Sequence, residues 1–247
     1  MHGKADGCRE ERRDNMSLFL EDISKFQGTG EKNADGKTLK EFLEAYDPYR
    51  YQTPSCTTDA VIFAHAGKLD ASLEGIRLLL VKRSNHPSIG YWALPGGFVN
   101  LKENLEDTAR RELEEETGVA GLVMEQIATY GDYDRDPRTR VITTAYMALI
   151  DEKDVKVQAG DDAADAVWCD VSLEHTQAEW TKEIQRDLYT LRIQNDSRKL
   201  DTTAVVERTA SEGLIREEKF RVKEMGMLAA DHAAIIVNAL VVLKNRL

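Results

Sequence analysis

The sequence predicts an α/β (α+β) fold, and three observations lead there. Short runs of apolar or alternating residues recur along most of the chain between Ser55 and Glu224, as strands do. A glutamate-rich stretch before Gly118 has the spacing of an amphipathic helix, and a second helical pattern closes the chain after Asp231. Hydrophobic residues make up 42% and charged residues 31% of the 247 residues, enough apolar material for a core under a polar surface.

Taken in order, residues 1–15 read as a charged, flexible tail and residues 16–50 as a helical extension; the main domain is expected over residues 51–247. Leu18, Leu20, Ile23 and Phe26 suggest a short helix over Ser17 to Phe26, and Gly28 to Gly36 a loop. Thr38 is placed to cap a helix running to Tyr46 with Leu39, Phe42 and Leu43 on one side, ended by Asp47-Pro48. Ser55 to His65 and Gly75 to Arg83 read as strands joined through residues 67–74, the second central because its apolar run is unbroken. Trp92 and Leu94 lead into the Pro95-Gly96-Gly97 turn, with Trp92 read as a packing residue. Glu125 to Gly131, Arg140 to Asp151 and Val167 to Val171 are further strands. Gln185 to Ile193, Thr202 to Glu212 and Ile215 to Glu224 alternate with period two, giving a β-meander over about residues 185–226. Asp231 is expected to cap the final helix, which buries Ile235, Ile236, Ala239, Leu240 and Leu243 and runs to about Arg246.

The chemistry concentrates between Gly97 and Val119. A helix from about Asn104 to Glu116, stopped by Gly118, buries Leu105, Ala109 and Leu113. Glu112, Glu115 and Glu116 stand at i, i+3 and i+4 and share one face, so their charges repel. Arg111 can neutralise one; the remainder calls for a hard divalent cation such as Mg2+ or Mn2+, which prefers oxygen ligands. A solvated acidic helix face would have similar composition. The pattern decides between them: Gly97, Glu103, Arg111, Glu112, Glu115, Glu116 and Gly118, with apolar Leu113 and Val119, match the box G-x5-E-x7-R-E-U-x-E-E-x-G-U at every position.

The chain therefore resembles the Nudix hydrolases over most of residues 55–180 and again at the last helix. The resemblance implies an α/β/α sandwich with a mixed sheet, in which the meander looks like an insertion before the final helix. It implies metal-assisted attack of water on a nucleoside diphosphate derivative. By motif position Glu112, Glu115, Glu116 and the Gly96 carbonyl would hold the metal, one glutamate doubling as base, and Glu103 with Arg111 would orient the helix face. Glu114, the free position, is expected to face water.

The flanking segments Gly90 to Val99, Tyr133 to Tyr146 and Ala159 to Trp168 are similar to those of ADP-ribose pyrophosphatases and related regulators of NAD metabolism. Arg135, Arg138 and Arg140 offer forked donors to phosphate or ribose oxygens, and Lys82-Arg83, at a strand end, suits an exposed strand end at least as well as a contact to phosphate. Asp161 and Asp162 offer a carboxylate to the metal or to water. The arginines equally suit a turn that balances its own aspartates, and the aspartates a plain turn. ADP-ribose, cleaved to AMP and ribose 5-phosphate, is the favoured substrate; an oxidised or surplus nucleoside triphosphate is the alternative. His65, His86, His175 and His232 need no function.

A net charge of −11 speaks against nucleic-acid and anionic-membrane partners, which need clustered Lys and Arg. Cys8, Cys56 and Cys169 lack any CxxC spacing, as expected of reduced thiols in a cytoplasmic protein. The reading of another class is an ADP-ribose-sensing transcription regulator. Such proteins carry a winged helix after the last helix of this domain, whereas the sequence stops at Leu247, so an enzyme is expected. Relatives of this type are often dimers, with the apolar residues of Ser17 to Tyr46 as an interface candidate.

Overall fold

The computed structural model describes residues 19–67, 69–154, 165–181, 183–211 and 213–247. The chain divides into two compact units, Met1–Thr53 and Pro54–Leu247. In the first, the helix expected over Ser17 to Phe26 is reduced, among the described residues, to a 3₁₀ turn at Ser24–Phe26. Asp22 caps the Ser24 N–H, and Gly28 and Gly30 follow with positive φ, which a helix cannot continue through. Helix α1 (Leu39–Glu44) starts where expected: the Thr38 hydroxyl accepts from the Glu41 N–H while the Glu41 carboxylate accepts from the Thr38 N–H. It ends two residues before Tyr46, and Phe42 stays 43% exposed.

The second unit is built on one mixed sheet. Its strands are β1 (Ser55–His65), β2 (Arg77–Lys82), β3 (Trp92–Ala93), β4 (Gly96–Phe98), β5 (Glu125–Tyr130), β6 (Val141–Asp151), β7 (Asp165–Trp180), β8 (Ile184–Asn195), β9 (Leu200–Ser211) and β10 (Glu218–Glu224). They run in the order β10-β9-β8-β7-β2-β1-β6-β5, with β3 beside β2 and β4 beside β1. β1 and β6 are parallel over their full length, from Ser55↔Val141 to His65↔Asp151, and the other pairs are antiparallel.

Two helices cover the two faces. In β1, Ala60 and Ile62 point to one side and pack with Leu113 of helix α2 (Leu105–Thr117), Val119 and Leu79. Val61 and Phe63 point to the other and join Ile235, Ile236 and Leu240 of helix α3 (His232–Lys244). The alternation of one strand thus assigns a helix to each face, and the α/β/α sandwich follows. In α2 the buried residues are Thr108, Ala109, Leu113 and Thr117; Leu105, expected in the stripe, is only half-buried at the first turn. Gly118 ends α2 at φ 71° and donates to the Glu114 carbonyl.

The meander continues the main sheet through β7, which pairs with β2 from Arg77↔Asp170 to Lys82↔Asp165. Strand β7 runs far past the expected Val171, and Leu191, Ile193, Ala204 and Val206 on the meander's inner face share the α3 core. Helix α3 is buried nearly all round, and Asn238 within it donates to the Tyr130 hydroxyl. Before it, the Trp92 N–H donates to Met227 and its carbonyl accepts from Ala229, tying the start of α3 to β3. Trp92 is 3% exposed, a packing residue. Cys56 and Cys169 are free thiols. Among the described residues no helix is long and apolar enough to cross a membrane.

Leu113 is the side chain that seats α2 on β1 and β2. Leu113→Ala is expected to lower the unfolding free energy by about 3 kcal/mol in urea titrations, while Glu114→Gln, on the exposed face, changes it by less than about 0.5 kcal/mol.

Candidate active site

β4 brings the start of the box against β1, with Asp59 opposite Gly96 and Thr58 opposite Gly97. The approach leaves no room for a side chain at Gly96, and one at Gly97 would press on the end of the Glu112 side chain. A Cβ on Gly96 would lie 2.1 Å from the Thr58 carbonyl oxygen, and one on Gly97 would lie 2.4 Å from the Glu112 carboxylate.

Arg111 organises the α2 face. Its Nε and NH2 donate to the two Glu103 oxygens at 2.8 and 3.0 Å, and its NH1 to Glu112 at 2.7 Å and Glu115 at 3.0 Å. NH2 also reaches the Phe98 carbonyl at 3.2 Å, joining α2 to β4. One guanidinium therefore offsets three carboxylates, where the charge count suggested one. Arg111 and then the Thr108 hydroxyl hold Glu103 at a pKa of about 2. Burial pushes Glu112 above the usual carboxylate range in spite of Arg111. Glu116 turns away from Arg111 and accepts from the Gly96 N–H at 3.0 Å. Burial, helped by the nearby charges of Glu112 and Asp59, raises its pKa to about 7. Glu114 is exposed, and so is Glu115, whose side chain is 59% accessible.

Among the described residues no three Asp, Glu, His or Cys side chains are grouped closely enough to hold a metal ion. The donor set nevertheless fits a hard divalent cation. Glu112, Glu115, Glu116 and the Gly96 carbonyl are all oxygen donors, and Glu112 and Glu116 are held out of water with a raised proton affinity that a cation would reverse.

Beside Glu116 opens a cleft of about 240 Å³. Its walls come from β1, β4, the loop after β5 and the start of α3; Arg83, Phe98, Arg138 and His232 are among its lining. Arg83 donates through Nε to the Pro87 carbonyl at 2.7 Å. Arg138 forks onto Asp136 at 3.1 and 2.8 Å, and its Cζ lies 5.3 Å from the Phe98 ring centroid. Arg135 lines the cleft too, but its Nε and NH2 both donate to Asp231 at 2.8 Å. That contact replaces the helix cap expected of Asp231, whose side chain makes no cap hydrogen bond. Arg140 is exposed and absent from the cleft lining; its carbonyl accepts from the Ser55 N–H. Asp161 and Asp162 lie outside the described residues.

Sequence reading missed Asp59 and found no use for His232. Asp59 is 7% exposed and accepts from the Thr143 hydroxyl at 2.7 Å. Its signal was available, as the only charge in the strand Ser55–His65. His232 accepts from the Leu94 N–H at Nδ1 and directs Nε2 to within 3.8 Å of Asp59, a contact between distant segments with no local sequence mark.

A family model described as NUDIX domain matches residues 58–190. The chain is similar to the ADPR responsive transcriptional repressor NtrR of Acinetobacter baylyi, 43% identical over 115 residues, covering 45% of this chain and 43% of that protein. It is also similar to the ADP-ribose pyrophosphatase of Methanocaldococcus jannaschii, 41% identical over 96 residues, covering 39% of this chain and 56% of that protein. The chain thus spans about half the length of these curated relatives. Among solved structures, a MutT/nudix family protein from Enterococcus faecalis superposes with a TM-score of 0.57 at 31% identity, covering 85% of this chain and 70% of that one. With the box intact from β4 through α2 and more than half of the chain matched, the chain belongs to the Nudix family.

Proposed function

We propose that the chain is a hydrolase that cleaves the diphosphate of a nucleoside diphosphate derivative, with ADP-ribose the preferred substrate and AMP and ribose 5-phosphate the products. The observation that carries this reading is the pairing of a desolvated Glu116 with arginines lining the same cleft. The likeness to an ADP-ribose pyrophosphatase supports the choice of substrate. Mg2+ or Mn2+ is the cation we assign to Glu112, Glu115, Glu116 and the Gly96 carbonyl; when bound, it neutralises diphosphate charge and acidifies water. Glu103 keeps Arg111 in place, and Arg111 in turn holds the α2 face against β4. Arg83 and Arg138 are assigned to phosphoryl oxygens, Arg138 being pre-aimed by Asp136. Glu112 or Glu116 takes the proton from the attacking water as the water oxygen bonds to phosphorus. The anhydride P–O bond then breaks and the leaving phosphate departs. Arg140 and Asp162, proposed from sequence alone, rank behind Arg83 and Arg138. The protein is read as cytoplasmic and homodimeric, with no membrane or nucleic-acid partner.

Hydrolysis of an oxidised nucleoside triphosphate uses the same carboxylates and remains the enzymatic alternative. The likeness to a transcriptional repressor favours a second reading, an ADP-ribose-responsive regulator. A gel shift with promoter DNA separates it: sequence-specific binding released by ADP-ribose would support the regulator.

ADP-ribose is expected to be turned over with a kcat/KM above that of dGTP or oxidised dGTP by at least about tenfold, or 1.4 kcal/mol of transition-state stabilisation. Product identification by chromatography checks this, and a reversed ranking contradicts the substrate choice. EDTA should abolish turnover and Mg2+ or Mn2+ restore it. In the same assay Glu112→Gln, Glu115→Gln and Glu116→Gln should each lower the rate by at least ~10²-fold, the scale of one lost electrostatic stabiliser. Glu114→Gln should stay near wild type, because that side chain is solvated. A crippled Glu114 variant beside a healthy Glu116 variant would place the site on the wrong helix face.

A further inference from the structure

Arg135 lines the cleft, yet its donors are turned into the protein. Its side chain is 7% exposed, and its two-toothed contact with Asp231 joins residues 96 apart in the chain. The same NH2 lies 3.9 Å from Asp59. Asp59 is held by the Thr143 hydroxyl and faced by His232 Nε2. The Leu94 N–H at Nδ1 makes Nε2 the protonated nitrogen of the neutral ring, so His232 presents a donor to Asp59. One buried array therefore ties β1, β6, the loop after β5 and the first residues of α3 together. The loop continues from Arg135 into Asp136, which accepts from the Arg138 N–H and from its guanidinium. Residues 131–140 between β5 and β6 take part in no strand pairing; the Ser55 N–H on the Arg140 carbonyl holds the loop's last residue, and the Asp231 contact anchors its middle.

We infer that Arg135, Asp59 and Asp231 form a positioning clamp that fixes the loop between β5 and β6 against the start of α3 and so aims Arg138 into the cleft, with Arg135 itself not touching the ligand. This rests on the function proposed above only for the ligand, a nucleoside diphosphate derivative or its AMP product. Arg135 is a positioning residue. Removing it outright would strand the half-buried Asp231 carboxylate beside the buried Asp59 and endanger folding, so the informative changes are conservative. Asp231→Asn keeps shape and one acceptor but loses the charge that holds the fork. Arg135→Lys keeps charge but cannot bond two oxygens at once.

The test combines amide hydrogen exchange over residues 131–140 of the full-length protein with AMP binding by calorimetry and steady-state kinetics on ADP-ribose. In Asp231→Asn and Arg135→Lys, exchange in the loop should rise by at least about tenfold while that of α2 stays unchanged. AMP affinity should fall and KM rise by about tenfold, with kcat kept within about threefold, the signature of lost ligand placement. Arg138→Gln should reproduce the binding loss without the rise in exchange at residues 132–136. Unchanged exchange in Asp231→Asn would overturn the clamp. So would raised exchange with KM and AMP affinity both intact, which would leave the array a purely structural pair. Loss of AMP binding in Arg135→Lys with the loop still protected would overturn it as well, by making Arg135 a ligand contact. The exchange measurement needs no turnover: a wild type inert to ADP-ribose would defeat the proposed function, and the clamp would then stand or fall on exchange.

Discussion

Carboxylates on adjacent turns of one helix do not gather without a cation, and in this structure the Arg111 guanidinium plays that part. Its five N–H groups reach Glu103, Glu112, Glu115 and the Phe98 carbonyl, so a single planar group sets the acidic face of α2 and its distance from β4. A lysine would supply the charge without the fork. Glu116 lies outside this reach and meets the Gly96 N–H instead, which places one acidic group in the cleft with its proton affinity raised by burial. The closeness of β4 to β1 and to Glu112 makes this possible; it leaves room only for glycine at position 96, and a side chain at position 97 would displace the Glu112 carboxylate.

The opposite wall is assembled by different means. Where the α2 face relies on i, i+3 and i+4 spacing, the loop after β5 relies on charges that meet across long stretches of chain. Arg135 finds Asp231, and His232 finds Asp59, because the Trp92 backbone pairs with residues 227–229 and brings the start of α3 to the sheet. The cleft thus stands between a locally encoded wall and a topologically encoded one, and only the second depends on the closure of the whole domain.

This difference explains what the sequence made legible. The box helix was readable almost to the residue, since its buried stripe, glutamate spacing and Gly118 stop all act within a few turns. β1 was readable for the same reason, an apolar run after polar Tyr51-Gln52-Thr53-Pro54. β7 was not: beyond Val171 its inner-facing apolar residues give out after Leu173, while the strand continues by pairing with β8, a long-range contact without a local signal. Asp231 was read as a cap from its position, and the position was right; its side chain went to Arg135 because burying that guanidinium unpaired would cost far more than a missing cap. The arginine run of the loop divides in three ways, Arg135 inward, Arg138 onto Asp136 and Arg140 to the surface, which no reading of residue types could have distinguished.

In the proposed function the α2 carboxylates and Gly96 form a binding place for a hard divalent cation, held ready by Arg111 and by the burial of Glu112 and Glu116. Mn2+ binding to the full-length protein, followed by the loss of the free-ion electron paramagnetic resonance signal, tests it without substrate or turnover. Saturable binding is expected of the wild type, weakened by at least about tenfold in Glu112→Gln and Glu116→Gln and unchanged in Glu114→Gln. Equal Mn2+ binding by the wild type and the Glu116→Gln variant would contradict it.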